Sequence, residues 1–185
     1  GKLKSVVLNT DDWRELFPEY TGTNASDVHE ASSYLNKRLY AESLQTMRGV
    51  GNNTMVLLAG GGGSGKSAFG KHFNEQQYPI RLDQVSDGVE KLEAKLDDAV
   101  KHGFKAEYVF VDRPPKEAWL NGVVSRALTL RKKGEVARTV PLERALQANI
   151  VARKTALELF QRRPDLPVQV IDNSRGFENA RLITD

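Results

Sequence analysis

The sequence contains no cysteine, which excludes disulfides and thiolate metal sites. Its three histidines show no metal-ligand spacing, so no histidine metal site is predicted. No stretch approaches the ~18 apolar residues of a transmembrane helix, and no secretory signal is visible. The expectation is a cytoplasmic protein that has no membrane partner.

Neither positive nor negative charge is in large excess. The net charge of the 185 residues is only +3, which argues against a nucleic-acid surface. The length suits a single domain, residues 1–185, with one hydrophobic core. The alternative that this chain is a piece of a longer protein stays open.

Short apolar runs alternate with segments of helical periodicity. The clearest strands are "TMVLLA", "AEYVFVD" and "PVQVID", and apolar residues recur at helical spacing between Val89 and Val100. This alternation predicts an α/β fold: a three-layer parallel sheet of about five strands with helices on both faces. Ligands of such sheets bind beyond the carboxyl ends of the strands.

The strongest motif, called the glycine loop below, matches the Walker A pattern G-x-x-x-x-G-K-[ST] directly after a strand. Backbone N–H groups of such a loop surround phosphate. Lys66 is predicted to reach the β- and γ-phosphates, and the Ser67 hydroxyl to bind Mg²⁺. ATP and Mg²⁺ are therefore the expected cofactors. The predicted nucleotide-binding residues are Gly60, Gly61, Gly62, Gly63, Ser64, Gly65, Lys66 and Ser67.

The class of P-loop protein depends on other residues. The guanine-reading N-K-x-D of GTPases is missing, and "VFVDRP" offers only Asp112 where a motor ATPase usually has an acidic pair. A small-molecule kinase needs a carboxylate near the acceptor hydroxyl and arginines near the transferred group. Asp11, after the strand "VVLN", suits the first role, and Arg14 suits orientation of the acceptor. The alternative that Asp11 or Asp12 caps a short helix is equally open.

Three stretches resemble the zeta toxin family of P-loop kinases. "NTDDWRELFPEY" is similar to the family's N-x-D-x-x-R strand end followed by E-L-x-P-x-Y. "SRALTLRKKGEVARTVP" resembles its lid, with Arg126 and Arg138 in the places of two spaced arginines. "VIDNSRG" resembles its last strand and D-N-S turn. Together with the glycine loop, the resemblance covers most of the chain.

The resemblance implies a P-loop kinase with a helical lid around residues 114–140, which transfers phosphate from ATP to a hydroxyl of a nucleotide or nucleotide-sugar. UDP-N-acetylglucosamine and NAD are the acceptors it suggests, and an antitoxin or immunity protein is the partner. Asp11 takes the role of general base, and Arg14 positions the substrate. Arg126 and Arg138 hold the transferred group together with Lys66, and Asn173 lines the adenine side of the site.

This chain departs from the family in two respects. The D-x-x-R strand comes before the glycine loop instead of after it, which indicates a permuted order. Asp83 stands where the family commonly has E-G-T, and it either contacts substrate or Mg²⁺ or caps a helix or turn. Outside the resemblance, the position of Arg113 before two prolines favours a turn over a phosphate contact.

Two rival functions remain. One is a nucleotide-binding module of a larger protein with little catalysis. The other is a polynucleotide 5′-hydroxyl kinase, whose binding would weaken steeply with salt. The small net charge counts against the second.

Overall fold

The computed structural model describes residues 5–84, 88–135 and 139–183. Within them a single sheet has the strand order β1-β3-β2-β4-β5-β6, in which the first five strands are parallel and β6 is antiparallel to β5. The strands are β1 (Val6–Asn9), β2 (Thr54–Ala59), β3 (Ile80–Asp83), β4 (Lys105–Asp112), β5 (Val168–Asp172) and β6 (Arg181–Ile183). The predicted α/β class and parallel sheet are confirmed.

The sixth strand, β6, was not predicted. It is short and exposed, so it lacks the buried apolar run that identified the other strands. Only residues 173–180 connect it to β5. A connection of this length cannot carry a crossover helix, and β6 therefore runs antiparallel.

Helices and turns fill the connections between strands. The helices are α1 (Thr10–Arg14), α2 (His29–Thr46), α3 (Lys66–Gly70), α4 (Val89–Lys101), α5 (Pro115–Glu117), α6 (Ser125–Lys132) and α7 (Leu142–Arg162), and Phe177–Asn179 forms a 3₁₀ turn. A π-helical segment, Ala118–Val124, joins α5 directly to α6. Among the described helices, none is long and apolar enough to cross a membrane.

The core lies on both faces of β2, which is buried throughout. Alternate residues of a strand point to opposite faces. Met55 and Leu57 belong to a large cluster with buried residues of α2, α4 and α7, whereas Val56 and Leu58 belong to a smaller cluster on the other face. This two-sided burial explains why "TMVLLA" is continuously apolar.

Helix α3 is much shorter than the sequence indicated, because the helical pattern predicted an end near Gln76 and the helix ends at Gly70. Arg81, on β3, is 6% exposed and donates to the carbonyls of Gly70 and Phe73 at 3.1 and 3.4 Å. The Asn74 side chain then accepts from the N–H groups of the next turn. A buried arginine from a neighbouring strand thus satisfies carbonyls that a longer helix would have used itself.

Replacing Arg81 with Met is expected to lower the free energy of unfolding by roughly 2–3 kcal/mol, because two carbonyls lose their donor. Urea unfolding monitored by circular dichroism measures the change. The exposed Arg38→Met is the matched control and should stay within about 0.5 kcal/mol of the parent. Equal loss in both variants would contradict the assigned role of Arg81.

Candidate active site

The carboxyl ends of β1, β3 and β2 lie side by side at one edge of the sheet. Asp83 is paired in register with Asn9 on one side and with Leu58 on the other. The glycine loop leaves β2 at the same edge. The parallel arrangement therefore brings together residues that are far apart in the sequence.

The backbone of the glycine loop adopts conformations that glycine favours. Gly63 has φ +76° and Gly65 has φ +101°. A Cβ at Gly63 would lie 2.2 Å from the carbonyl oxygen of Ala118, and one at Gly65 would lie 2.5 Å from Nδ2 of Asn173. Both positions require glycine because of backbone conformation and because of their neighbours.

The ammonium group of Lys66 is the buried cation of the site, because this residue is only 8% exposed. Its Nζ donates to the carbonyls of Gly60 and Gly61, both at 3.0 Å. Burial lowers the pKa of Lys66, while the nearby carboxylates of Asp83 and Asp11 act in the opposite direction. The ammonium group is held by carbonyls that a phosphate oxygen can replace as acceptors.

Asp83 completes the base of the loop. Its Oδ2 accepts a hydrogen bond from Ser67 Oγ at 2.7 Å, and Asn9 Nδ2 lies 3.5 Å away. Desolvation raises the pKa of this 8%-exposed carboxyl group, against the pull of Lys66. Helix α4 has Gly88 at its N-cap, so Asp83 does not cap it. The structure thus excludes Asp83 as the cap of α4, and its contact with substrate or Mg²⁺ stays a prediction.

Ser67 and Asp83 together form an oxygen donor set that suits Mg²⁺. This ion is commonly held by one or two protein oxygens and otherwise by water and phosphate. In P-loop proteins the same pair of residue types holds it. Within the described ranges, no group of three or more His, Asp or Glu residues could hold a metal by itself, so this pair is the candidate site.

Asp11 lies in the first turn of α1, but it does not cap this helix. Asn9 is the N-cap, and its side chain accepts from the Asp11 N–H at 2.9 Å. The Asp11 carboxylate is half-exposed and pairs with Arg14 at 2.7 Å. Arg14 also lies 3.2 Å from Nδ1 of His29. The charge of Asp11 opposes the lowering of the Lys66 pKa and adds to the rise of the Asp83 pKa.

The segment predicted as the lid packs against the glycine loop through its π-helical part. A Cβ at Gly122 would lie 2.3 Å from the carbonyl oxygen of Gly63, so the two backbones are in direct contact. Arg126 follows on α6 and is near enough to lower the pKa of Lys66 further. Arg138 lies outside the described residues. Arg126 is exposed, and its contact with a transferred phosphoryl group stays a prediction.

Three further side chains contact loop carbonyls. Asn173 is 1% exposed, and its Nδ2 donates to Ser64 O at 2.7 Å; its expected place beside adenine stays a prediction. Arg113 Nη1 lies 3.4 Å from Gly63 O, which the turn interpretation did not include. Asn149, from α7, donates to Gly62 O at 3.1 Å.

Sequence analysis missed Asn149 altogether. A polar residue on the buried face of a periodic helix, among residues such as Ala145 and Ala152, was the available signal. Asp112 was considered as an acidic strand end, and it instead pairs with Arg153 through two bonds of 2.7 and 3.1 Å.

The fold and the site define an α/β protein whose parallel strands end around a glycine loop, a buried lysine and two carboxylates. No protein-family model matches the chain, and a search of curated proteins found no significant match.

Replacing Gly122 with Ala is expected to weaken ATP binding by at least about tenfold, or ~1.4 kcal/mol, because its Cβ would push the π-helical segment against Gly63. Isothermal titration calorimetry measures the affinity. Asn121→Ala, at the exposed position before Gly122 in the same segment, is the control. Unchanged affinity in Gly122→Ala would contradict the importance of this contact.

Burial raises the pKa of Asp83, so this carboxyl group takes up a proton at a higher pH than an ordinary aspartate does. Magnesium-dependent ATP binding is therefore expected to weaken at a correspondingly higher pH when the solution is acidified. Metal binding requires the ionised carboxylate. The stability of the free protein depends on pH in the opposite sense. Asp83 contributes most to the free energy of unfolding below its pKa in the unfolded state, and this contribution is lost as the pH rises through its pKa in the folded state. Titration calorimetry from acid to neutral pH, with Asp83→Asn as the control, tests the shift. A midpoint no higher than that of an ordinary aspartate would contradict it.

Proposed function

We propose that this protein is an ATP-dependent kinase that phosphorylates a hydroxyl group of a small nucleotide or nucleotide-sugar. The observation that carries the proposal is the hydrogen bond between Ser67 Oγ and Asp83, beside the buried ammonium of Lys66. A glycine-rich turn without function would not require a carboxylate and a lysine to be buried at its base, because burying charged groups is costly.

The residues divide into a donor half and an acceptor half. On the donor side, the glycine loop and Lys66 bind the β- and γ-phosphates of ATP. Ser67 and Asp83 hold Mg²⁺, which neutralises charge on the phosphates when bound. Arg126, from the lid, stabilises negative charge on the transferred group.

On the acceptor side, Asp11 accepts the proton of the hydroxyl group. The hydroxyl oxygen forms a bond to the γ-phosphorus, the bond to the bridging oxygen breaks, and ADP leaves. The Asp11 carboxylate is 51% exposed, so an acceptor has access to it from solvent. Arg14, bonded to the same carboxylate, is placed to contact the acceptor.

The resemblance to zeta toxins supports the choice of acceptor. It suggests UDP-N-acetylglucosamine or NAD, and it suggests an inhibitory partner protein. A cytoplasmic location, where ATP and Mg²⁺ are plentiful, is consistent with this proposal.

Asp11→Asn is expected to lower kcat by about 100-fold or more, because the amide cannot accept the proton, while ATP affinity stays near the parent value. Transfer from γ-labelled ATP to UDP-N-acetylglucosamine and to NAD is the measurement. Asp12→Asn removes the same charge from the next residue and serves as the matched control. Lys66→Ala should abolish both ATP binding and transfer.

Full transfer by Asp11→Asn would reject the assignment of the base. ATP binding by the parent without transfer to these or other hydroxyl compounds would instead favour the nucleotide-binding module.

A further inference from the structure

Side chains contact the first five carbonyl groups of the glycine loop. Lys66 Nζ bonds the first two, and Asn149 Nδ2 bonds Gly62 O at 3.1 Å. Arg113 Nη1 lies 3.4 Å from Gly63 O, and Asn173 Nδ2 bonds Ser64 O at 2.7 Å. The consecutive carbonyls from Gly60 to Ser64 thus each contact a donor from outside the loop backbone.

A bonded carbonyl fixes the N–H group of the next residue. A trans peptide is planar, and its C=O and N–H point in opposite directions. The bond from Asn149 to Gly62 O therefore orients the N–H of Gly63, and the bond from Asn173 to Ser64 O orients the N–H of Gly65. Within the described part of the chain, these two N–H groups donate to no backbone carbonyl. Such N–H groups are available to an anion.

The two asparagines differ from Lys66 in one respect. To reach a phosphate, Lys66 must leave the carbonyls of Gly60 and Gly61. A neutral side-chain amide does not have to leave its carbonyl partner in order to bind phosphate, so its hydrogen bond to the loop persists when the ligand is bound. Asn149 is also anchored by a second bond, to Ala145 O at 2.8 Å, and the Asn173 backbone N–H donates to Asp112 O at 2.8 Å.

The close approach of Asn149 also explains a glycine, Gly61, that the Walker A pattern does not require. The pattern requires glycine at positions 60 and 65 but not at 61. A Cβ at Gly61 would lie 2.1 Å from Asn149 Oδ1. Gly61 thus leaves room for Asn149, as Gly65 leaves room for Asn173.

We propose that Asn149 and Asn173 are positioning residues that hold the Gly63 and Gly65 N–H groups toward a polyphosphate ligand. This inference rests on the proposed function, because it assumes that the glycine loop binds the phosphates of ATP. It assigns part of the phosphate site to α7 and to the residue after β5, outside the motif itself.

The test uses the full chain and inorganic tripolyphosphate, which removes any contribution from the base or the acceptor. Asn149→Ala and Asn173→Ala are each expected to bind it about tenfold more weakly, the equivalent of roughly one hydrogen bond. Thr155→Ala, which changes another buried polar residue of α7, is the control for stability. It should leave the affinity unchanged.

A second readout separates positioning from a general loss of structure. In the parent, tripolyphosphate should shift the amide proton resonances of both Gly63 and Gly65 in nuclear magnetic resonance spectra. Asn149→Ala should selectively reduce the Gly63 shift, and Asn173→Ala the Gly65 shift. Asn149→Leu and Asn173→Leu keep a similar side-chain volume and remove the donor without adding a charge, so they test the same bonds if an alanine variant does not fold.

Parental affinity in the asparagine variants would overturn the inference, as would equal loss of both shifts in each variant. If the parent itself does not bind tripolyphosphate or ATP, the proposed function fails, and this inference fails with it. Binding by the parent with no effect of the asparagines would overturn the inference alone.

Discussion

The rest of the site depends on the stabilisation of the buried ammonium group of Lys66. Burial disfavours its charge, and the structure compensates with two loop carbonyls and with the nearby carboxylates of Asp83 and Asp11. These carboxylates come from neighbouring strand ends, so the sheet must be assembled before the charge is balanced. The same arrangement places a cation, two acids and the Ser67 hydroxyl around one small volume.

The strand order explains how this balance is reached. Strand β3 lies between β1 and β2, so Asp83 has the end of β1, which leads to Asp11 and Arg14, on one side and the glycine loop on the other. A chain that places the D-x-x-R strand before the glycine loop can still bring both halves together, because spatial order and chain order are independent in a parallel sheet. On the far side of the loop, Gly122 brings the helical segment into contact with it.

Much of the fold could be predicted, because its strands are buried and its longer helices are periodic. The errors arose where distant residues decide local structure. Helix α3 ends where Arg81 bonds the carbonyl of Gly70, and β6 is antiparallel because of a short connection. Asp11 was open between catalyst and cap, and only the bond from its own N–H to Asn9 removed the capping alternative.

The sequence by itself determined the glycine loop and the α/β class, since both depend on local patterns of glycine and apolar residues. It also identified Asp11 and Arg14 as neighbours at a strand end. The tertiary structure decided that Asp83 bonds Ser67 and that Asn149 bonds the loop. The two residues of each pair are separated in the chain, and their contact depends on the packing of the sheet and of α7. This packing cannot be predicted from a local sequence pattern.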